Sequence, residues 1–242
     1  MDVLEAKGPP GMLIAAIGDV HGRLDLLEKA HEGITHQIRQ RAVEDWRIVH
    51  LGDYVDRGPN SRGVLDFLIA AKARDPRIIC LAGNHDVGFL DFLKEPDPAG
   101  MSATNGGVET ALSYGVRLDL KHPAAFAAQH AELVRSVPEE HRRFVGNLVF
   151  SAELGDFFFC HAGIRPGVPL DEQEPRDLIW IRDPFLDHDG LFAKVIVHGH
   201  TPSRDPEVRR NRINVDTGAF ASGVLTALLI EGSDKQFMQV VG

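Results

Sequence analysis

Asp19, His21, Asp53, Asn84, His161 and His198 each stand at or just beyond the end of an apolar run. They fall within Gly18-Asp19-Val20-His21-Gly22, Gly52-Asp53-Tyr54-Val55-Asp56-Arg57-Gly58, Gly83-Asn84-His85-Asp86, His161-Ala162-Gly163 and His198-Gly199-His200-Thr201. Carboxylate and amide oxygens are hard donors and imidazole is a borderline one, a mixed set that suits divalent transition metals. Charges at the end of a buried strand are costly unless they meet a metal, a partner or a ligand. Singly, each motif is also an ordinary strand-to-loop turn, since turns favour Gly and Asp. Jointly, with one carboxylate bridging, they make a ligand set for two cations about 3.5–4 Å apart, an arrangement used for phosphoryl chemistry. There is no cysteine pattern at zinc-finger spacing and no Gly-x-x-x-x-Gly-Lys-Ser/Thr loop, so neither a structural zinc site nor a P-loop is indicated.

Further residues near these motifs carry two readings each. Asp56-Arg57 is either a solvated turn pair or part of the chemistry. His85, beside Asp86 and within reach of the Asp56 loop, is either a tuned general acid or a surface histidine at a helix start. Arg182, after Ile179-Trp180-Ile181, is either a snorkelling surface residue or a phosphate clamp.

The elements that must position these groups follow from periodicity. Met12–Ile17, Trp46–Leu51 and Arg77–Ala82 read as buried strands. Helices are expected between them: Leu24, Leu27, Ala30, Ile34 and Ile38 recur at helical spacing, and Ser61–Ala73 reads as a second helix. Residues 87–145 read as helical packing and rim elements, with helices over Met101–Gly115 and Pro123–Val137 and a candidate mobile loop at Pro96–Gly100. The last third reads as short strands over 148–150, 157–160, 195–197, 212–215 and 225–230. Residues 1–11, with Gly8-Pro9-Pro10-Gly11, read as a loose lead-in.

Composition narrows the class. Lys+Arg 26 against Asp+Glu 35 gives a formal net charge of -9, which argues against generic adhesion to nucleic acid or anionic membrane. Cys80 and Cys160 lie inside apolar runs and read as buried free thiols of a reducing compartment. No apolar run approaches a membrane span and no signal pattern opens the chain, so a soluble, cytoplasmic protein is expected.

The five motifs together resemble the signature of the PPP-type metallophosphatases, over nearly the whole chain. They are most similar to the small bacterial and phage serine/threonine phosphatases, with the symmetrical bis(5′-nucleosyl)-tetraphosphatases as near relatives. The resemblance implies an α/β (α+β) fold, a four-layer α-β-β-α sandwich with mixed sheets, as a single calcineurin-like domain over residues 1–242. It assigns Asp19 and His21 to one metal, Asp53 to both, and Asn84, His161 and His198 to the other, with two divalent ions, manganese first among Mn, Fe, Zn and Co. Arg57 and Arg182 resemble the family's phosphate-binding arginines, and His85 its general acid, oriented by Asp56. The implied activity is phosphomonoester hydrolysis by in-line attack of a metal-bridging hydroxide, without a covalent intermediate. Asp56-Arg57, where the dinucleoside enzymes typically read Ala-Arg, favours phosphoserine or phosphothreonine in proteins as substrate. The alternative is a dinucleoside polyphosphate or another small phosphoester. A non-catalytic scaffold is disfavoured because Arg57 and every ligand position are filled. The sequence departs from the pattern at Asp86, where the family has Glu, and at Ala162, where it has Gly.

Overall fold

The computed structural model describes residues 1–100 and 102–242. Its first half alternates strand and helix: β1 (Met12–Ile17), α1 (Leu24–Arg41), β2 (Asp45–His50), α2 (Ser61–Arg74), β3 (Ile78–Cys80) and α3 (Asn84–Lys94). The helical spacing of α1 puts Leu26, Leu27, Ala30 and Ile34 on its buried face. α2 begins where the Asn60 side chain accepts from the Gly63 amide, an N-cap bond. α4 (Val108–Ser113), α5 (Pro123–Ser136) and α6 (Glu139–Gly146) follow. Then come β4 (Ser151–Leu154), β5 (Phe157–Cys160), α7 (Pro175–Trp180), α8 (Asp183–Leu186), β6 (Val195–His198), β7 (Glu207–Val208), β8 (Arg212–Asn214), α9 (Ala219–Ser222), β9 (Val224–Glu231) and β10 (Asp234–Val241).

Among the described residues the strands form two five-stranded mixed sheets, ordered β10-β9-β1-β2-β3 and β4-β5-β6-β8-β7. β1, β2 and β3 run parallel, as do β5, β6 and β8, with antiparallel strands at the margins. Strand parity shows why they stack. Ile14, Ala16 and Val49 from one sheet meet Phe157, Phe159, Val195 and Val197 from the other in a shared core. The alternate residues Leu13, Ala15, Ile17 and Ile48 face α1, α2 and α3. On the second sheet Phe158, Cys160 and Ile196 face Leu178, Ile181 and Phe185 of the α7–α8 segment. Period-2 alternation in fully buried strands thus serves two cores at once and produces the expected helix–sheet–sheet–helix layering. No helix among the described residues is long and apolar enough to cross a membrane.

Several expectations shift. Residues 1–11 are not a loose lead-in: Val3 and Ala6 are buried in the inter-sheet core, and the Gly8 amide donates to the Gly232 carbonyl. The strand expected at 148–150 lies instead at Ser151–Leu154, paired with β5 across a Gly155-Asp156 turn in which Gly155 has φ +58°. Val149 makes only an isolated bridge to Leu81. β7 and β10 escape a hydrophobicity reading because each is an edge strand with one face largely in water. The helix expected over Met101–Gly115 is divided. Met101 lies outside the described residues, Ala103–Gly107 is a wide turn, and α4 ends at Ser113. The break has a steric cause: Gly106 has φ +108°, and a Cβ there would sit 2.2 Å from the Arg57 amide nitrogen.

Candidate active site

Because β1, β2 and β3 are parallel, and β5 and β6 are parallel in the facing sheet, the loops after all five strands open at one end of the sandwich. His21, Asp53, Asp56, Arg57 and His200 adopt positive φ there, the only other non-glycine among the described residues being Ala42. Left-handed backbone costs non-glycine residues energy and clusters where the surroundings enforce a functional geometry. Here it turns side chains inward from three of these loops, those after β1, β2 and β6.

Asp53 lies at the centre. Its Oδ2 is 3.3 Å from His21 Nε2 and 3.4 Å from His161 Nε2, and its Oδ1 accepts the His85 amide at 3.0 Å. His21 Nδ1 donates to the Val55 carbonyl at 2.7 Å and His161 Nδ1 to the Leu51 carbonyl at 3.0 Å. With both Nδ1 atoms protonated, each Nε2 presents a lone pair to the cluster. His161 Nε2 is 3.0 Å from Asn84 Oδ1, which is also 2.9 Å from His200 Nδ1. Asp19 Oδ1 is buried without any hydrogen-bond partner, while its Oδ2 accepts the His200 amide at 3.1 Å. Converging lone pairs, an orphaned buried carboxylate oxygen and the buried acids Asp19, Asp53 and Asp216 are the surroundings a cation would satisfy. The donors group as His21, Asp53 and His85 on one side and Asp53, His161 and His200 on the other, with Asp53 common to both. That set fits two divalent ions.

The electrostatics agree. Burial, then the carboxylates of Asp216 and Asp53, push the Asp19 acid well above its usual range. Burial pushes Asp53 the same way, but the imidazoles of His161, His85 and His21 outweigh it and hold the carboxyl well below. Burial draws His200 down to about 3 and lowers His161, keeping both imidazoles in the neutral form that a metal ligand needs.

His198 does not take the place expected of it. It continues β6, where it shares the parity of Ile196 and faces the α7–α8 layer; its ring lies 5.0 Å from that of Phe185 and its Nε2 has no partner. His200, two residues on, turns into the cluster because its φ of +66° reverses the side-chain direction. Gly199 makes the turn feasible: a Cβ there would lie 2.1 Å from Asp19 Oδ1.

Beside the cluster, His85 Nδ1 is 2.7 Å from Asp56 Oδ2. Burial favours neutral His85, but Asp53 and Asp56 outweigh it and raise its pKa. Thr110 Oγ1 donates to Asp56 Oδ1 at 2.8 Å, and the Asp56 amide bonds Thr110 Oγ1 and Ser61 Oγ. Arg57 reaches His21 Nε2 at 3.1 Å and His85 Nε2 at 3.0 Å, with its guanidinium 4.7 Å from the centroid of the Phe220 ring. Arg182 is exposed but not detached, since its Nε lies 3.2 Å from His200 Nε2. The geometry therefore brings Asp19, His21, Asp53, Asn84, His161, Asp56, Arg57, His85 and Arg182 to one site and replaces His198 by His200.

Sequence reasoning passed over Asp216, Thr110 and Phe220. Asp216 had a signal, because Ile213-Asn214-Val215-Asp216 repeats the apolar-run-then-acid pattern. Thr110 and Phe220 had none, being brought in by α4 and α9.

Comparison with known proteins agrees with this geometry. The profile of the calcineurin-like phosphoesterase family matches residues 12–222. The asymmetrical bis(5′-nucleosyl)-tetraphosphatase PrpE of Anoxybacillus flavithermus is 27% identical over 235 residues, covering 90% of each chain. The protein of the same name from Bacillus subtilis is 25% identical over 229 residues, covering 87% of each. Among solved structures, a candidate diadenosine tetraphosphatase superposes with a TM-score of 0.64 at 19% identity, over 95% of this chain and 93% of that one. A serine/threonine phosphatase from Saccharomyces cerevisiae gives 0.57 at 13% identity, over 96% and 81%. At these identities the structural likenesses concern the fold.

Proposed function

The chain belongs to the calcineurin-like phosphoesterase family, and from that premise we propose that it hydrolyses bis(5′-nucleosyl) tetraphosphates asymmetrically, working as one domain across residues 1–242. The observation that carries the substrate class is the near full-length similarity to proteins of that name, 90% of both chains for the Anoxybacillus relative. The Asp56-Arg57 pair, which in sequence favours a phosphoprotein, does not discriminate here. Asp56 spends its oxygens on His85 and Thr110, a positioning role that serves any phosphoester.

Asp19, His21, Asp53, Asn84, His161 and His200 would hold the two divalent ions. When bound, these supply Lewis acidity and a water-derived nucleophile for in-line attack. Arg57 lies beside His21 and His85 and against Phe220, which puts its planar fork next to the metal-ligand cluster where it would meet phosphoryl oxygens. Arg182, beside His200, would supply a second guanidinium. His85, with Asp56 behind it, holds a proton for the departing oxygen. Overall one water is consumed: its oxygen bonds to phosphorus, one P–O–P bridge breaks, and its protons partition to products and solvent.

The test is product analysis. Manganese-loaded protein given diadenosine tetraphosphate is expected to release a nucleoside monophosphate and a nucleoside triphosphate. Two equal diphosphates would indicate a symmetrical cut, and turnover confined to phosphoserine or phosphothreonine peptides would return the substrate to the phosphoprotein class.

A further inference from the structure

Beyond the phosphate-binding centre, a groove of about 520 Å³ runs outward along α3, a size typical of small-molecule sites. It is continuous with the site, because Asn84 lines it at the inner end. Val87 and Phe92 give it an apolar floor, Asp91 and Glu95 stand along it as exposed acids, and Trp180 forms a wall. Trp180 is 43% exposed although large and aromatic, and its ring stands edge-on to His200 at 6.0 Å. A half-exposed indole anchored at one edge and open into a groove is a stacking platform.

We infer that this groove is a nucleoside subsite in which Trp180 stacks against one base of the dinucleotide and Asp91 and Glu95 accept from its hydroxyl or amino groups. The inference rests on the tetraphosphate reading above and deepens it by naming where one nucleoside end is held. Charge supports the orientation. Asp91, Glu95 and Asp97 outnumber Lys94, which pairs with Asp91 at 3.1 Å, among the lining residues. The net negative charge repels a polyphosphate, so the phosphates stay near Arg57 and Arg182 while the uncharged, donor-bearing end occupies the groove. A basic peptide would also suit the acids, but it has no use for a flat apolar floor facing an open indole.

The experiment uses the full chain and two readouts. The first is the ratio of kcat/KM for diadenosine tetraphosphate to that for inorganic tripolyphosphate, which has no base. Trp180→Ala is expected to lower this ratio about 5- to 150-fold, chiefly through KM, and Trp180→Phe to restore most of it. Asp91→Ala, on α3 and away from the His200 edge contact, is expected to lower the ratio in the same direction. Equal losses on both substrates, or no change in the ratio, would overturn the inference, as would loss confined to a basic phosphopeptide. The second readout is fluorescence of a Trp46→Phe protein, in which Trp180 is the sole tryptophan, titrated with adenosine. Saturable quenching supports the subsite even if wild type fails to cleave the tetraphosphate, whereas absent quenching with intact tetraphosphate turnover overturns the subsite and leaves the activity standing.

Discussion

The Asp56 carboxylate lies 2.7 Å from His85 Nδ1 with both side chains buried, so the two act as one unit at the rim of the metal-ligand cluster. The ring is fixed with Nε2 toward Arg57 and the substrate space. If His85 supplies the proton to the leaving oxygen, the need for it grows with that oxygen's basicity. His85→Asn is expected to lower kcat/KM by about 10²–10⁴-fold on an alkyl phosphate, and by clearly less on nitrophenyl phosphate. Asp56→Asn should show a weaker version. Rates across a series of leaving-group pKa values are the check, and an unchanged slope would leave His85 with electrostatic stabilisation alone.

The metal set makes a sharper demand. Chelation should abolish turnover and manganese should restore it, with Asp53→Asn the most damaging ligand change because that carboxylate faces both groupings. His200→Ala should lose bound metal and activity together. His198→Leu should keep both and stay within about 1.5 kcal/mol of wild-type stability, since the imidazole it removes has an unpartnered Nε2 in an apolar layer. Metal content by elemental analysis, beside activity, separates the two histidines.

Arg57 lies beside His21 and His85 and against Phe220. Arg57→Ala is expected to lower kcat/KM by about 10²–10³-fold with metal content retained. Arg57→Lys should recover only part, because a point charge cannot reproduce the bidentate fork. Wild-type kinetics in Arg182→Ala would return that exposed residue to a surface role.

Asp86 bridges two of the loops. Its carboxylate accepts the amides of Asp53 and Tyr54, each at 2.8 Å, and of Gly83 at 2.9 Å. Burial and the Asp53 charge push the acid up to about 8 against the pull of these amides. Asp86→Ala strands three buried donors and should cost about 3 kcal/mol or more, measured by urea unfolding. Asp86→Asn should cost less.

Acid sensitivity should come in part from a histidine pair outside the site. His31 and His50 stack with ring centroids 5.1 Å apart and their Nε2 atoms 3.1 Å apart. Burial pulls His31 down to about 4, and burial together with His31 holds His50 well below the usual range. Both are neutral when folded and take up protons near pH 6.5 when unfolded, so the unfolded state binds more protons between those values. Their contribution is therefore full above pH 6.5 and lost as pH falls towards 4. His31→Phe should reduce the stability lost between pH 7 and pH 5 by about 2 kcal/mol, read from denaturant midpoints at the two pH values.

The sequence alone determined the grammar of this protein. Apolar runs ending in Gly-Asp, Gly-Asn-His or His announce buried strands whose ends carry chemistry; that alternate residues of Met12–Ile17 serve two cores shows only in the structure. Asp19, His21, Asp53, Asn84, Arg57 and His85 were legible because each lies within a few residues of such a strand end, where local spacing limits the side-chain positions. What only the tertiary structure decided is what local spacing cannot fix. His198 and His200 are two residues apart and indistinguishable while the chain stays extended. A positive φ at His200, enforced by the approach of Asp19 to Gly199, sends one inward and leaves the other in a hydrophobic layer. Thr110 and Phe220 are 54 and 163 residues from the groups they support, Asp56 and Arg57. Their roles arise from helix packing, whose long-range contacts leave no periodic trace in a single sequence.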